Sequence, residues 1–184
     1  MANLITLARM ALVIPFVIAF LTDAPWNMNL ALAIFVLAAI TDFFDGWVAR
    51  ARGETSKLGA ALDPIADKLL IAAALILLAR NGVIAGAGVI AVIIIILREI
   101  LVSGLREALS QTQQTLDVTT LAKWKTTAQL VAAGLLIAAA PNGLIGDALR
   151  PAASAALWIA AVMTFWSGAD YALRAGEVLR TGKS

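Results

Sequence analysis

The stretch ITDFFDGWVARARGETSKLGAALDPIADKLL, residues 40–70, carries four aspartates, Asp42, Asp45, Asp63 and Asp67, in a chain that is 61% hydrophobic. Laid along helices, the first and last of these acids are separated by about seven turns. Acids gathered in an apolar chain must be neutralised by something. What neutralises them decides what the chain does.

Composition sets the surroundings. The 184 residues are 14% charged, against roughly 25% in an ordinary soluble domain, and the mean hydropathy is +0.91. Residues 83–97 and 131–140 contain no ionisable group. Such runs predict an all-α, polytopic membrane protein, a single membrane domain over residues 1–184. The chain has neither cysteine nor histidine. That excludes disulfides, thiolate or imidazole metal sites, and Ser-His or Cys-His catalytic pairs. Any metal must be held by oxygen, which favours a hard ion such as Mg²⁺ or Mn²⁺. A net charge of +2 is too small to argue for nucleic acid. Arg9 before the apolar residues 10–21 resembles a signal peptide only weakly. No small-residue cleavage site follows and more apolar segments do, so a retained first helix is expected.

Six spans are predicted, at residues 4–21, 28–50, 58–79, 83–108, 119–140 and 152–174. The breaks fall at Asp23-Ala24-Pro25, Arg52-Gly53, Asn81-Gly82, Pro141-Asn142-Gly143 and Arg150-Pro151. Pro15 lies inside the first span, where a kink is tolerated in lipid. Arg50, Arg52 and Lys57 flank one loop, Arg106, Lys123 and Lys125 another, and Arg174, Arg180 and Lys183 mark the tail. The alternate loops have only Arg80 and Arg150. The positive-inside rule therefore puts both termini and the two basic loops in the cytoplasm. Trp26 and Trp158 then sit nearer the outer interface, and Trp47, Trp124 and Trp166 nearer the inner one.

Helical rise locates the acids. Counting from the outer ends of the second and third spans, Asp42 lies at about 21 Å, Asp45 at about 25 Å, Asp67 at about 18 Å and Asp63 at about 24 Å. Arg98 lands at about 22 Å on the fourth span. With a hydrocarbon core of roughly 30 Å, all of them fall in one layer just inside the cytoplasmic boundary. Asp42 and Asp45 share a helix face with Gly46 and Ala49, while Gly59, Asp63 and Asp67 step by four along another. Four carboxylates at one depth cost several kcal/mol each to desolvate unless cations answer them. Two divalent ions about 3.5–4 Å apart, bridged by shared carboxylates, form a known phosphoryl-transfer arrangement.

Blander readings stay open. Asp42 can be the polar end of a span, and Asp63-Pro64 can simply begin a helix. An ion or proton pathway also uses intramembrane acids. A pathway would continue as polar residues into the outer halves of the spans, and those halves of spans two to four are almost entirely Ala, Leu, Ile and Val.

The pattern Asp42-x2-Asp45-Gly46-x2-Ala49-Arg50-x8-Gly59-x3-Asp63-x3-Asp67 resembles the complete signature of the CDP-alcohol phosphotransferases. The likeness runs over nearly the whole chain. NLITLAR (residues 3–9) is similar to that family's opening segment, and LREILVSGLREAL (97–109), KWKTTAQLVA (123–132) and MTFWSGADY (163–171) are similar to the branch whose acceptor is sn-glycerol 3-phosphate. The resemblance implies transfer of a phosphatidyl group from CDP-diacylglycerol to that alcohol, with release of CMP. It implies two Mg²⁺ or Mn²⁺ ions on Asp42, Asp45, Asp63 and Asp67, with Asp67 as the base.

It also implies a donor pocket involving Asn3, Thr6, Gly46, Ala49, Arg50 and Gly59. Interfacial anchoring is the other reading of Asn3, Thr6 and Arg50, and tight helix packing the other reading of the small residues. A phosphate on the acceptor calls for a second basic group, for which Arg98, Arg106, Lys123 and Lys125 are the candidates. Arg98 could instead pair with Glu99. Alternative acceptors are inositol phosphate, serine or phosphatidylglycerol. The expected setting is the inner or plasma membrane, with the site facing the cytoplasm in a homodimer.

Overall fold

The computed structural model describes the backbone of residues 2–52, 57–111, 116 and 119–181, and the side chains of residues 10–41, 65–66, 68–110, 116 and 119–180. Among the described residues the regular structure is entirely helical. Six α-helices follow one another: α1 (Ala2–Leu21), α2 (Asn27–Arg52), α3 (Lys57–Arg80), α4 (Gly88–Gln111), α5 (Thr120–Ala138) and α6 (Arg150–Thr181), with a 3₁₀ turn at Gly146–Leu149. The chain forms two compact units, residues 1–84 with 133–153, and residues 85–132 with 154–184. Among the described residues, two helical stretches, Gly88–Ser110 and Gly146–Arg180, are long and apolar enough to cross a membrane.

In the first unit, α1 lies against both α2 and α3. Its helix runs unbroken through Pro15. Phe16 and Phe20 meet edge-on at 5.0 Å between ring centroids, and Phe35 of α2 approaches Phe16 at 6.0 Å. The buried row on α2 is Met28, Ala31, Phe35 and Ala38, and on α3 it includes Ile71, Leu75 and Leu78. Steps of three and four make each row one face of its helix. The turn into α2 is tied by Asn27, whose side chain donates to the Thr22 carbonyl at 2.8 Å and accepts from the Met28 amide at 2.7 Å.

The chain leaves α3 differently from the sequence expectation, which continued the next span from residue 83. Gly82 takes φ +71. Its amide donates to the Ala79 carbonyl at 3.1 Å, and the Val83 amide reaches back to Leu78 at 3.0 Å. This is a Schellman cap. It folds the buried Val83 and Ile84 onto the end of α3, so α4 starts only at Gly88. Hydrophobicity alone does not distinguish a capping segment from the start of a span. At the other end of the unit, Pro141 and Asn142 form a turn closed by the Gly143 amide on the Ala140 carbonyl at 2.8 Å, with Asn142 at φ 62. Proline first and a left-handed residue second is the type II pattern.

The second unit contains α4, the first part of α5 and α6. α6 reaches Thr181, seven residues beyond the expected end at Arg174. The reason is a further apolar row: Tyr171, Ala175 and Val178 pack with Val102 and Leu109 of α4, flanked by Leu105 and Leu116.

The left-handed backbone at Gly82 has open space where a Cβ would go. Gly82→Ala should therefore lower stability through the backbone alone, by about 1–2 kcal/mol, and Gly82→Asn by less, because asparagine adopts that conformation more readily. Thermal unfolding in detergent would measure both.

Candidate functional site

The backbone of α2 is helical through Asp42 and Asp45, and that of α3 through Asp63 and Asp67. The side chains of all four lie outside the described residues, as do those of Asn3, Thr6, Gly46, Ala49, Arg50 and Gly59. Register is nevertheless informative. Positions 42 and 45 continue the buried row of Met28, Ala31, Phe35 and Ala38 by steps of four and three. Positions 63 and 67 continue the row of Ile71, Leu75 and Leu78 by steps of four. The last described side chain before the acids, Thr41, bonds to its own helix, at the Leu37 and Ala38 carbonyls. Among the described side chains, no three acids gather closely enough to share a metal ion.

In the second unit the buried residues include charged ones. Arg98 and Glu99 are neighbours near the middle of α4, Lys125 and Gln129 lie one turn apart on α5, and Thr164 and Ser167 one turn apart on α6. All converge. The Glu99 carboxylate, through Oε1, accepts from Lys125 Nζ in an ion pair, from Arg98 Nη1 at 3.3 Å and from Gln129 Nε2 at 3.2 Å. Gln129 Nε2 also donates to Thr164 Oγ1 at 2.8 Å. Arg98 Nη2 donates to Ser167 Oγ at 3.0 Å, and Ser167 in turn donates to the Thr164 carbonyl at 3.1 Å. Ser103 anchors back to the Glu99 carbonyl at 2.7 Å.

The side chains of Arg98, Glu99 and Lys125 are only 9%, 12% and 7% exposed. Between them they carry two positive charges and one negative. A carboxylate that serves two cations is strongly held, because removing it leaves two buried positive charges unanswered. The outward positions around this cluster are apolar: Leu97, Ile100 and Leu101 on α4, and Val162, Phe165 and Trp166 on α6 are all exposed. Polarity is inverted relative to a water-soluble helix bundle, with charge inside and hydrocarbon outside.

The four cations picked out as acceptor candidates are thus separated by the fold. Arg98 and Lys125 are brought together on Glu99. Lys123, two residues from Lys125, is exposed on another face of α5, and Arg106 is exposed two turns along α4, with its guanidinium 5.8 Å from the centre of the Tyr171 ring. The pairing of Arg98 with Glu99 was one of the two sequence readings. The parts of Gln129, Thr164 and Ser167 were not foreseen. Their signal was present as an i,i+4 step from Lys125 and an i,i+3 step within MTFWSGADY, polar positions at helical spacing in otherwise apolar segments.

These features define a helical protein whose second unit carries buried charge beneath an apolar exterior. Comparison with known proteins agrees with the aspartate pattern. Residues 1–166 match the model of the CDP-alcohol phosphatidyltransferase family. The chain belongs to that family. Relatives named CDP-diacylglycerol–glycerol-3-phosphate 3-phosphatidyltransferase include one from Cereibacter sphaeroides, 36% identical with 98% of this chain and 97% of the relative covered. Another from Bacillus subtilis is 39% identical, over 97% of this chain and 96% of the relative. A third, from Pectobacterium atrosepticum, is 40% identical over 92% and 91%.

Glu99→Gln removes the charge that answers two buried cations. It should cost on the order of 3 kcal/mol, against about 0.6–1 kcal/mol for Gln129→Leu, which removes only interhelical hydrogen bonds. Detergent thermal melts of the two variants should show that order.

Proposed function

We propose that the chain transfers the phosphatidyl group of CDP-diacylglycerol to sn-glycerol 3-phosphate, giving phosphatidylglycerophosphate and CMP. The near-complete coverage of relatives bearing that name supports this donor and acceptor. Within the chain itself, one observation carries the reading: the four signature acids occupy the helical continuation of the buried rows of α2 and α3. Acids at those positions call for cations, and the metal ions that accompany the donor are what would supply the neutralising charge.

Asp42, Asp45, Asp63 and Asp67 would hold two Mg²⁺ or Mn²⁺ ions, to which an all-oxygen donor set in a chain without cysteine or histidine is suited. When bound, such ions neutralise the donor diphosphate and the charge that grows on departing CMP. In the proposed step the acceptor hydroxyl oxygen bonds to the phosphatidyl phosphorus, its proton passes to Asp67, and the bond from that phosphorus to CMP breaks with the electron pair leaving on CMP. Gly46, Ala49 and Gly59 offer little bulk against an approaching nucleotide, and Asn3, Thr6 and Arg50 line the donor pocket. Arg98 and Lys125 bind the acceptor phosphate as a buried pair. Arg106 and Lys123, both exposed, draw the anion in.

The same reading takes the whole chain as one membrane domain of six spans, with both termini and the substrate-binding groups on the cytoplasmic side of the inner or plasma membrane, as a homodimer. The two long apolar helices and the inverted polarity of the second unit support a place in lipid.

Purified protein with CDP-diacylglycerol, Mg²⁺ and a panel of alcohols should release CMP with sn-glycerol 3-phosphate. Turnover confined to phosphate-free alcohols would overturn the choice of acceptor. Asp67→Asn should lower turnover by about 10²–10⁴-fold with an unchanged melting temperature, and a normal rate would remove Asp67 from the base role.

A further inference from the structure

We infer that Gly168 is a positioning residue for Arg98: a side chain at this point of α6 would displace the arginine stem that now lies across it. The inference rests on the reading of Arg98 as an acceptor-phosphate ligand, and it adds the residue that sets where that ligand points. Gly168 is buried and directly follows Ser167, the hydroxyl that receives Arg98 Nη2. A Cβ built on Gly168 would fall well inside contact distance of Arg98 Cγ, 3.0 Å from its Nε and 3.3 Å from its Cδ. Three atoms of one side chain therefore run over bare helix backbone. Arg98 Nε is buried there without a hydrogen-bond partner, while Nη1 and Nη2 are committed to Glu99 and Ser167.

The crowded atom is what makes the contact decisive. Cγ is near the root of the side chain, so a methyl group at 168 cannot be avoided by swinging the guanidinium tip. The whole side chain must change rotamer, and the two terminal contacts move with it. Glu99 keeps Lys125 and Gln129 in any case, so the cluster persists while Arg98 is displaced. Two other helical glycines of this unit provide the contrast. A Cβ on Gly104 or Gly176 meets nothing within 4 Å, and an alanine there should help its helix, as alanine generally does.

The test is a double-mutant cycle on the purified full chain, read as KM and kcat for each substrate by CMP release. Gly168→Ala should raise the KM for sn-glycerol 3-phosphate between about ten- and a hundredfold, the loss expected when a binding group moves by about an ångström. The KM for CDP-diacylglycerol should stay within about twofold, and Gly176→Ala should change neither. In an Arg98→Ala background, where no stem remains to be seated, Gly168→Ala should add no further loss, since the two positions act as one unit. An unchanged acceptor KM in Gly168→Ala overturns the inference, as does an equal loss in both backgrounds or a parallel rise in the donor KM. Failure of the unmutated chain to turn over sn-glycerol 3-phosphate is a different result: it sinks the proposed reaction, and this inference with it.

Discussion

One carboxylate holds the second unit together. Glu99 sits among helices whose outward faces are hydrocarbon, and it receives a lysine, an arginine and a glutamine on a single oxygen. Charges in such surroundings are tolerated only as a set, because the desolvation of each is offset by the others. That constraint ties the rotation of α5 to that of α4: turn either by a fraction of a turn and Lys125 is left without its carboxylate. Thr164 and Ser167 complete the set from α6, accepting from the Gln129 amide and from Arg98 Nη2.

The first unit is organised by the opposite means. Its described interior is mainly apolar, with Ala31, Ala38 and Ala74 beside Phe16, Phe20 and Phe35 and the aliphatic row of Ile71, Leu75 and Leu78, and its turns are closed by backbone caps rather than by charge. Alanines bring helix axes close, and aromatic rings fill the space that remains. The signature aspartates fall at positions that continue these rows along the backbones of α2 and α3.

The chemistry of the proposed reaction matches the two kinds of polar group. A diphosphate donor and a phosphate-bearing acceptor are both anions. Carboxylates can engage the first only through intervening cations, whereas arginine and lysine engage the second directly, arginine through a planar fork that suits phosphate oxygens. The contacts around Glu99 hold Arg98 and Lys125 in a fixed orientation, so in the proposed reaction little ordering would remain to be done on binding.

Composition and hydrophobic runs were sufficient to predict an all-helical chain and the existence of six helices, because apolar periodicity and turn residues are local properties. The spacing of the aspartates, local in the same sense, pointed to the family before any fold was known. Helix ends were less legible. Val83 and Ile84 read as the start of a span, yet a left-handed Gly82 folds them back as a cap, and Tyr171, Ala175 and Val178 extend α6 because α4 offers them a partner. Those outcomes depend on contacts with another segment. Least legible was the identity of the buried partners. Arg98, Lys125, Gln129, Thr164 and Ser167 come from three helices far apart in the chain, and no spacing rule connects them. Only packing in three dimensions could bring them to one carboxylate, because the cost of an unpaired charge is paid by the folded molecule and is invisible along the chain.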